Sequence, residues 1–427
     1  MTLALAMTAG ILAAQTVLQG QVTDDNGEEL IGATVRVLKG TDFVRGTATD
    51  AFGNFRIQLD PGTYNVEVTY SGVAMSRTTG VQVILNKLNT LDVVMSNSVL
   101  TEVDIVAYKV ELIEQDKTSG GQTLTAETIR NLPTRSVNQI IATTAGTTSV
   151  DGGAINIKGS RSNATNYYID GIRVSGAPPP VQDIEQLQVI TGGLGAEYGD
   201  VTGGVISVVT KGPASEYHGA LEVESSYGLD PYGWLLTTGN LSGPILKKTR
   251  PDGSKRTVIG FRLSGQYLDQ KDDDPPAIPV YRVKDDVLRR LEAAPLVRRN
   301  GQIFNAAQSF TQDSVDALRF NPFERRRDLD ITSKLDFKFT DNIDFSVTGT
   351  YKYVANQFTP SGTLSGSELT QAGWRVLNSH NNPTQYNDRY RIIGRLRHRL
   401  GNDDGDKTIS NVNYQIQFGF ERGRGRV

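Results

Sequence analysis

The chain has 427 residues, enough for two or three domains with cores of their own. Its 44 Lys+Arg against 47 Asp+Glu give a formal net charge of −3, without the basic excess that nucleic acid binding needs, and 21% charged with 38% hydrophobic residues exclude both a polytopic helical membrane protein and an acidic disordered chain. Cysteine is absent and the three histidines (His218, His380, His398) are scattered, which rules out disulfides, thiolate metal sites and a Cys nucleophile and leaves no histidine metal site.

Leu3 to Ala14 is an apolar, small-residue stretch of signal-peptide rather than membrane-span length, so residues 1–15 read as an export signal. A basic n-region and a clean cleavage box are missing, and the true start is expected upstream; a buried N-terminal segment is the other reading. From about 18 to 96 short alternating segments (Ala33–Leu38, Phe55–Leu59, Tyr64–Tyr70) are divided by Asp24-Asp25-Asn26-Gly27, Ala51-Phe52-Gly53-Asn54 and Asp60-Pro61-Gly62. Period-two apolar spacing between such turns predicts a small β-sandwich. Gly20-Gln21-Val22-Thr23-Asp24, the Gly53-Asn54-Phe55 turn and the Pro61-Gly62-Thr63-Tyr64 corner make this stretch resemble the carboxypeptidase regulatory-like domain, a non-catalytic module.

Residues 111–214 have a mixed α/β texture. Thr125 is placed to cap a short helix that Pro133 ends, a second helix is expected over Ser136–Ala142, and strands over Ala154–Lys158, Asn166–Ile169, Leu187–Ile190 and Gly203–Lys211. Gly192-Gly193-x-Gly195 lacks the Lys-Ser/Thr of a phosphate loop. Ile155-Asn156-Ile157-Lys158-Gly159-Ser160-Arg161, Tyr168-Ile169-Asp170-Gly171-Ile172, Ala196-Glu197-Tyr198-Gly199 and Gly203-Gly204-Val205-Ile206 occur in that order. Together they make the region resemble the plug of TonB-dependent outer-membrane receptors, of the Oar-like kind. The resemblance assigns the plug motif to Gly159, Arg161, Asp170, Gly171, Tyr198, Gly199, Gly203 and Gly204. Arg161 and Lys158 are candidates for holding the plug against barrel carboxylates, or are simply surface cations.

After about 215 the alternation lengthens. Tyr217 to Tyr227, Ile259 to Tyr267, Leu329 to Phe339, Ile343 to Tyr353, Tyr390 to Leu396 and Val412 to Phe420 each put apolar residues on one face and charged or polar ones on the other. Runs of about ten residues with terminal aromatics predict part of an antiparallel transmembrane β-barrel, with lipid outside and water inside. A soluble sheet with one dry face is the rival. Thr340-Asp341-Asn342 reads as a short periplasmic turn, and Gln270–Asp328 as a long outer loop with a helix near Lys284–Ala293; its Asp272-Asp273-Asp274 reads as solvated charge rather than a calcium site. The Arg-rich face over 389–399 reads as lumen wall, with contact to an anionic substrate as a lesser reading. A plugged barrel takes about 22 strands, and about seven are discernible, so the chain is expected to be the N-terminal part of a longer receptor. The fold class is therefore mainly β: sandwich, mixed α/β plug and incomplete barrel.

Between sandwich and plug, residues 98–110 hold Glu102, Val103, Asp104, Ile105, Val106 and Ala107. The segment resembles a TonB box, which the energy-coupling protein takes up as an added strand; a linker strand packed on the plug is the alternative. The partners this implies are a TonB-like energy-coupling protein, an outer ligand of unknown identity and outer-membrane lipid. No Ser/His/Asp set, paired catalytic carboxylates or metal-ligand spacing stands out, so the chain is read as not an enzyme, with no catalytic residue, metal or cofactor. Transport across the outer membrane is the function implied; a non-transporting surface or adhesion protein is the second reading.

Overall fold

Alternating apolar residues can bury one face only if a second layer covers it, and the computed structural model shows three ways in which this chain meets that demand. It describes residues 16–85, 87–95, 103–105, 120–150, 152–175, 178–195, 198–251, 253–309, 311–360, 371–400 and 412–427. The expected signal peptide over 1–15 lies outside them.

The N-terminal unit has strands β1 (Val17–Asp24), β2 (Thr34–Lys39), β3 (Asp42–Ala48), β4 (Asn54–Gln58), β5 (Gly62–Thr69), β6 (Ser76–Val83), β7 (Leu88–Thr90), β8 (Val93–Met95) and β9 (Val103–Ile105). They form two sheets, β4-β1-β7 with β8 on β1, and β3-β2-β5-β6-β9. Leu18, Val22, Val35, Val37, Phe55, Ile57, Val66, Val68, Val81 and Val83 make the buried layer between them, as the period-two spacing predicts. The turn chemistry is as read from sequence: Asp50 Oδ1 accepts from the backbone of Phe52 (2.9 Å) and Asn54 (2.8 Å). The Tyr64 hydroxyl donates to the Asp60 carbonyl at 2.9 Å, closing the Pro-Gly-x-Tyr corner.

In the middle unit β10 (Gly120–Thr125) leads into α1 (Ala126–Arg130), then α2 (Val137–Ile141), β11 (Thr147–Thr148), β12 (Asn156–Ile157), β13 (Thr165–Ile169), β14 (Ile172–Val174), β15 (Ile184–Gly192) and β16 (Gly204–Thr210). Thr125 and Ser136 cap the two helices, their side chains accepting from the backbone of Thr128 and Gln139. The mixed sheet β10-β15-β16-β13-β14 buries Leu124, Ile129, Ile140, Ile141, Ile184, Leu187 and Ile206. The strand expected over Ala154–Lys158 contracts to the two residues of β12.

The remaining strands are β17 (His218–Ser225), β18 (Trp234–Thr249), β19 (Lys255–Gln270), β20 (Val280–Val283), β21 (Leu296–Arg299), β22 (Gln302–Asn305), β23 (Val315–Leu318), β24 (Arg326–Lys338), β25 (Ile343–Gln357), β26 (Thr384–Leu400) and β27 (Val412–Arg426), with helices α3 (Asp285–Ala293) and α4 (Gln371–Leu377). Among the described residues, β17-β18-β19-β24-β25-β26-β27 form one seven-stranded antiparallel sheet. From β18 onward its strands run to 13–17 residues, longer than the ten expected, so they project beyond the apolar band. β18 had no clear periodic signal in sequence. Its alternation is broken at Gly239, Gly243 and Pro244, and the pairing with β19 shifts register between Pro244 and Leu246.

The sheet is inverted relative to a soluble one. Leu241, Leu263, Tyr267, Ile331, Leu335, Ile392, Ile416 and Phe418 are exposed, whereas Arg262, Ser264, Asp328, Asp330, Thr332, Lys334, Thr348 and Arg391 are buried. Outward aromatics pair at two levels of the sheet: Tyr351 with Tyr390 (5.0 Å) and Tyr353 with Tyr386 (6.4 Å) from mid-strand toward the long loops, Phe337 with Phe345 (6.1 Å) and His398 with Tyr414 (5.1 Å) near the short-turn end. An apolar outside between aromatic bands and a polar inside is the pattern lipid imposes on a barrel wall. Among the described residues no helix is long and apolar enough to cross a membrane, which says nothing about strands.

Candidate functional site

The buried polar face of the wall is where the middle unit sits, so the candidate site is that contact, together with the segment leading into it. Ile393 of β26 joins the apolar core of the middle unit, and around it the contact is polar. Arg262 of β19 donates to the Gln182 carbonyl at 3.0 Å and pairs with Asp183 at 3.2 Å, both side chains being buried. Gln182 donates back to the Gly265 carbonyl at 3.0 Å. Arg135 reaches Glu222 (2.8 Å) and Glu224 (3.1 Å) of β17. Arg389 and Arg391 both donate to the Ser175 carbonyl, at 3.0 and 3.1 Å, and Arg391 also pairs with Glu421 of β27 at 3.1 Å. The Arg-rich face of β26 is thus lumen wall, as the alternation predicted.

Asp170-Gly171 is the hairpin turn between β13 and β14, with both residues at positive φ (48° and 86°), which is why Asp-Gly suits it. The Asp170 carboxylate accepts from the Thr210 backbone (2.9 Å) and hydroxyl (2.6 Å) and lies 3.6 Å from the Lys334 ammonium of β24. Lys334 Nζ also reaches the Thr210 hydroxyl at 2.8 Å, so one buried cluster joins turn, β16 and wall. Burial pushes the Asp170 carboxyl up, but Lys334, Arg395 and the Thr210 donors outweigh it and hold it below the ordinary carboxylate range. Gln417 of β27 donates to the Asp170 carbonyl at 3.0 Å.

The other motif residues divide. A Cβ on Gly204 would lie 2.6 Å from Ile157 Cδ1 and 2.8 Å from the Ile190 carbonyl, and one on Gly203 would lie 2.8 Å from the Ala164 carbonyl, so close strand approach requires glycine at both. Gly159 turns at φ 73°. Gly199 has open space around it, and Tyr198 packs edge-on against Tyr168 at 5.1 Å. Arg161 and Lys158 are exposed and make no ion pair among the described residues; the barrel contacts run through Arg262, Lys334, Arg389 and Arg391 instead. Arg389 and Arg391 belong to the Arg-rich face read as lumen wall, whereas Arg262 and Lys334 were visible only as polar positions of alternating strands, because their partners lie far off in sequence.

Of the expected coupling segment the structure describes Val103–Ile105 alone; Glu102, Val106 and Ala107 lie outside the described residues. Those three residues form β9, a parallel edge strand on β6, with Ser76 opposite Val103 and Thr78 opposite Ile105. The sandwich itself rests on the same end of the wall as the Thr340-Asp341-Asn342 turn. Asp42 pairs with Lys247 at 3.1 Å and accepts from the Thr257 backbone at 2.9 Å. Arg397 reaches across to both carboxylate oxygens of Asp60 while pairing with Asp344 at 3.0 Å. The Gln186 side chain ties the middle unit to Val83 and Leu85 (2.6 and 3.0 Å). Burial would raise the Asp60 carboxyl, but Arg397 and Arg399 hold it well below the usual range.

Two family models match this chain: the carboxypeptidase regulatory-like domain over residues 17–96 and the TonB-dependent receptor plug domain over residues 114–205. The TonB-dependent transporter Oar of Myxococcus xanthus is 28% identical over 269 residues, which is 54% of this chain and 25% of the transporter. The chain thus spans about a quarter of the length of that curated relative. A mutant ferric enterobactin receptor from Pseudomonas aeruginosa, solved with enterobactin, is similar at 20% identity and TM-score 0.47 over 71% of this chain and 41% of the receptor. The siderophore receptor PirA of the same organism is similar at 18% identity and TM-score 0.38, over 73% and 51%. The chain is thus similar to Oar over 269 residues, and residues 114–205 match the plug domain of TonB-dependent receptors.

Proposed function

We propose that this plug-bearing homologue of Oar is the N-terminal portion of a TonB-dependent outer-membrane receptor, which takes a ligand at its outer face and moves it across the membrane. The observation that carries the reading is the inverted sheet: apolar residues face outward, and the buried polar face is occupied by a folded plug held through Asp170–Lys334, Asp183–Arg262 and Ser175–Arg391. A polar seat suits a plug that must move, since its groups can pair with water once the contact has opened. Energy enters through residues 102–107, where strand addition by a TonB-like protein uses the free backbone edge of an extended segment. The long loop between β19 and β24, at the end opposite the sandwich, is where the ligand is met.

The test is capture of the full chain, in detergent, by the C-terminal domain of a TonB protein. Wild-type chain should be retained, and Val103→Pro, which removes a backbone donor from the segment, should lose retention. Equal retention of the two would overturn the assignment of the coupling segment.

A further inference from the structure

Where the sandwich meets the inner ends of β24, β25 and β26, a chamber of about 150 Å³ lies between Lys39, Arg45 and Asp60 of the sandwich, Asp170 of the plug, and Lys338, Asp344 and Arg395 of the wall. It is well below the roughly 300–1,000 Å³ of pockets for drug-sized molecules. It therefore suits a small group and not a whole organic ligand.

Its charge is unbalanced. Eight Lys or Arg and five Asp line it. Asp60 and Asp344 are paired by Arg397 and Arg399, Asp170 by Lys334, and Asp341 by Arg256. Among the described residues, Lys39, Lys338 and Arg395 have no carboxylate within ion-pair distance, and Arg45 donates to the Asp341 carbonyl at 3.3 Å. Against these four stands Asp336, whose Oδ1 is buried without a partner, and the buried Nε atoms of Arg395 and Arg399 also lack an acceptor. Burial, with Arg399 and Arg397 beside it, pulls Arg45 down to about 10. Gathered, partly desolvated cations are costly unless an anion joins them, and Arg forks with Lys ammonium groups are the donors that suit oxygen-rich anions.

We propose that this chamber binds a small oxyanion, a phosphate or a compact carboxylate, bridging Lys39 and Arg45 of the sandwich to Lys338 and Arg395 of the wall. The anion acts as a removable tie between the sandwich and the inner end of the barrel. The inference rests on the chamber alone and stands whether or not the chain takes part in transport.

Equilibrium dialysis of labelled inorganic phosphate against the full chain in detergent, at ionic strength fixed with chloride, reads the binding directly. Saturable binding is expected, weakened about tenfold by Lys338→Gln or Arg395→Gln, the loss of one charge-assisted contact, and unchanged by Lys248→Gln outside the chamber. Lys39→Gln on the sandwich should weaken it similarly and supplies a second reading if a wall variant fails to fold. Phosphatidylglycerol added to the micelle separates a lipid headgroup from a soluble anion, and it should not displace the labelled phosphate. Absence of saturation, an affinity indifferent to Lys39→Gln, Lys338→Gln and Arg395→Gln, or displacement by the lipid would each overturn the proposal.

Discussion

At Asp170 one carboxylate serves two structures, closing its own turn and meeting Lys334 in the wall with side-chain exposures of 7% and 6%. Removing one partner of so buried a pair strands the other, a loss of roughly 3–5 kcal/mol. Asp170→Asn should therefore lower the urea midpoint of the plug–wall contact in detergent at neutral pH. The pH dependence follows from the depressed folded-state pKa. The charge on Asp170 contributes fully above the ordinary value of 3.8 and is lost as pH falls through the lower folded value. The gap between wild type and Asp170→Asn should accordingly be constant near neutrality and close in acid below about pH 3.8; a gap that persists there would remove the ion pair from the account. That Asp170-Gly171 makes a turn was legible, since the pair favours positive φ at successive residues. Its contact with Lys334 was not, because nothing local in either segment specifies the other.

Each wall strand is an alternation with a preferred solvent on each side. Leu263, in the middle of β19, is 48% exposed on the outward face beside the buried Ser264. Lipid facing that residue makes a cation there cost about 2–4 kcal/mol near the bilayer centre, so Leu263→Lys should reduce recovery of the chain in the outer-membrane fraction. Full recovery would favour the soluble sheet with one dry face. β19, β24, β25, β26 and β27 were legible as elements because unbroken period-two patterns survive in them. β18 was not, because Gly239, Gly243 and Pro244 interrupt the pattern, and the register slips just after Pro244. The β20–β23 pair and the β21–β22 hairpin of the outer loop are four-residue pairings, too short for periodicity to register.

Across the molecule, the order sandwich, plug and wall follows the chain, whereas the seating of the parts on one another does not. Asp60 sits in a turn whose local role is to place Tyr64, yet its carboxylate holds Arg397 of β26. Asp42, at the start of an ordinary hairpin strand, fixes the sandwich to β18 and β19 through Lys247 and Thr257. Long-range charge pairs leave no spacing signature, so three domains could be read from sequence and their assembly could not. The assembly sets a plug against the polar face of the wall and the sandwich at the end of the Thr340-Asp341-Asn342 turn.

The seating of the plug within a membrane-inserted wall is tested most directly by cross-linking, because the chain contains no cysteine to confuse it. Ser175 of the plug and Glu421 of β27 are in hydrogen-bond contact at an accessible edge. With Ser175→Cys and Glu421→Cys in one chain, a short bismaleimide applied to the isolated outer-membrane fraction should join the two sites in most molecules, and neither single variant should react internally. Efficient joining in that fraction is the result predicted. Joining confined to soluble or aggregated chain, or none in membrane-inserted chain, would contradict the account.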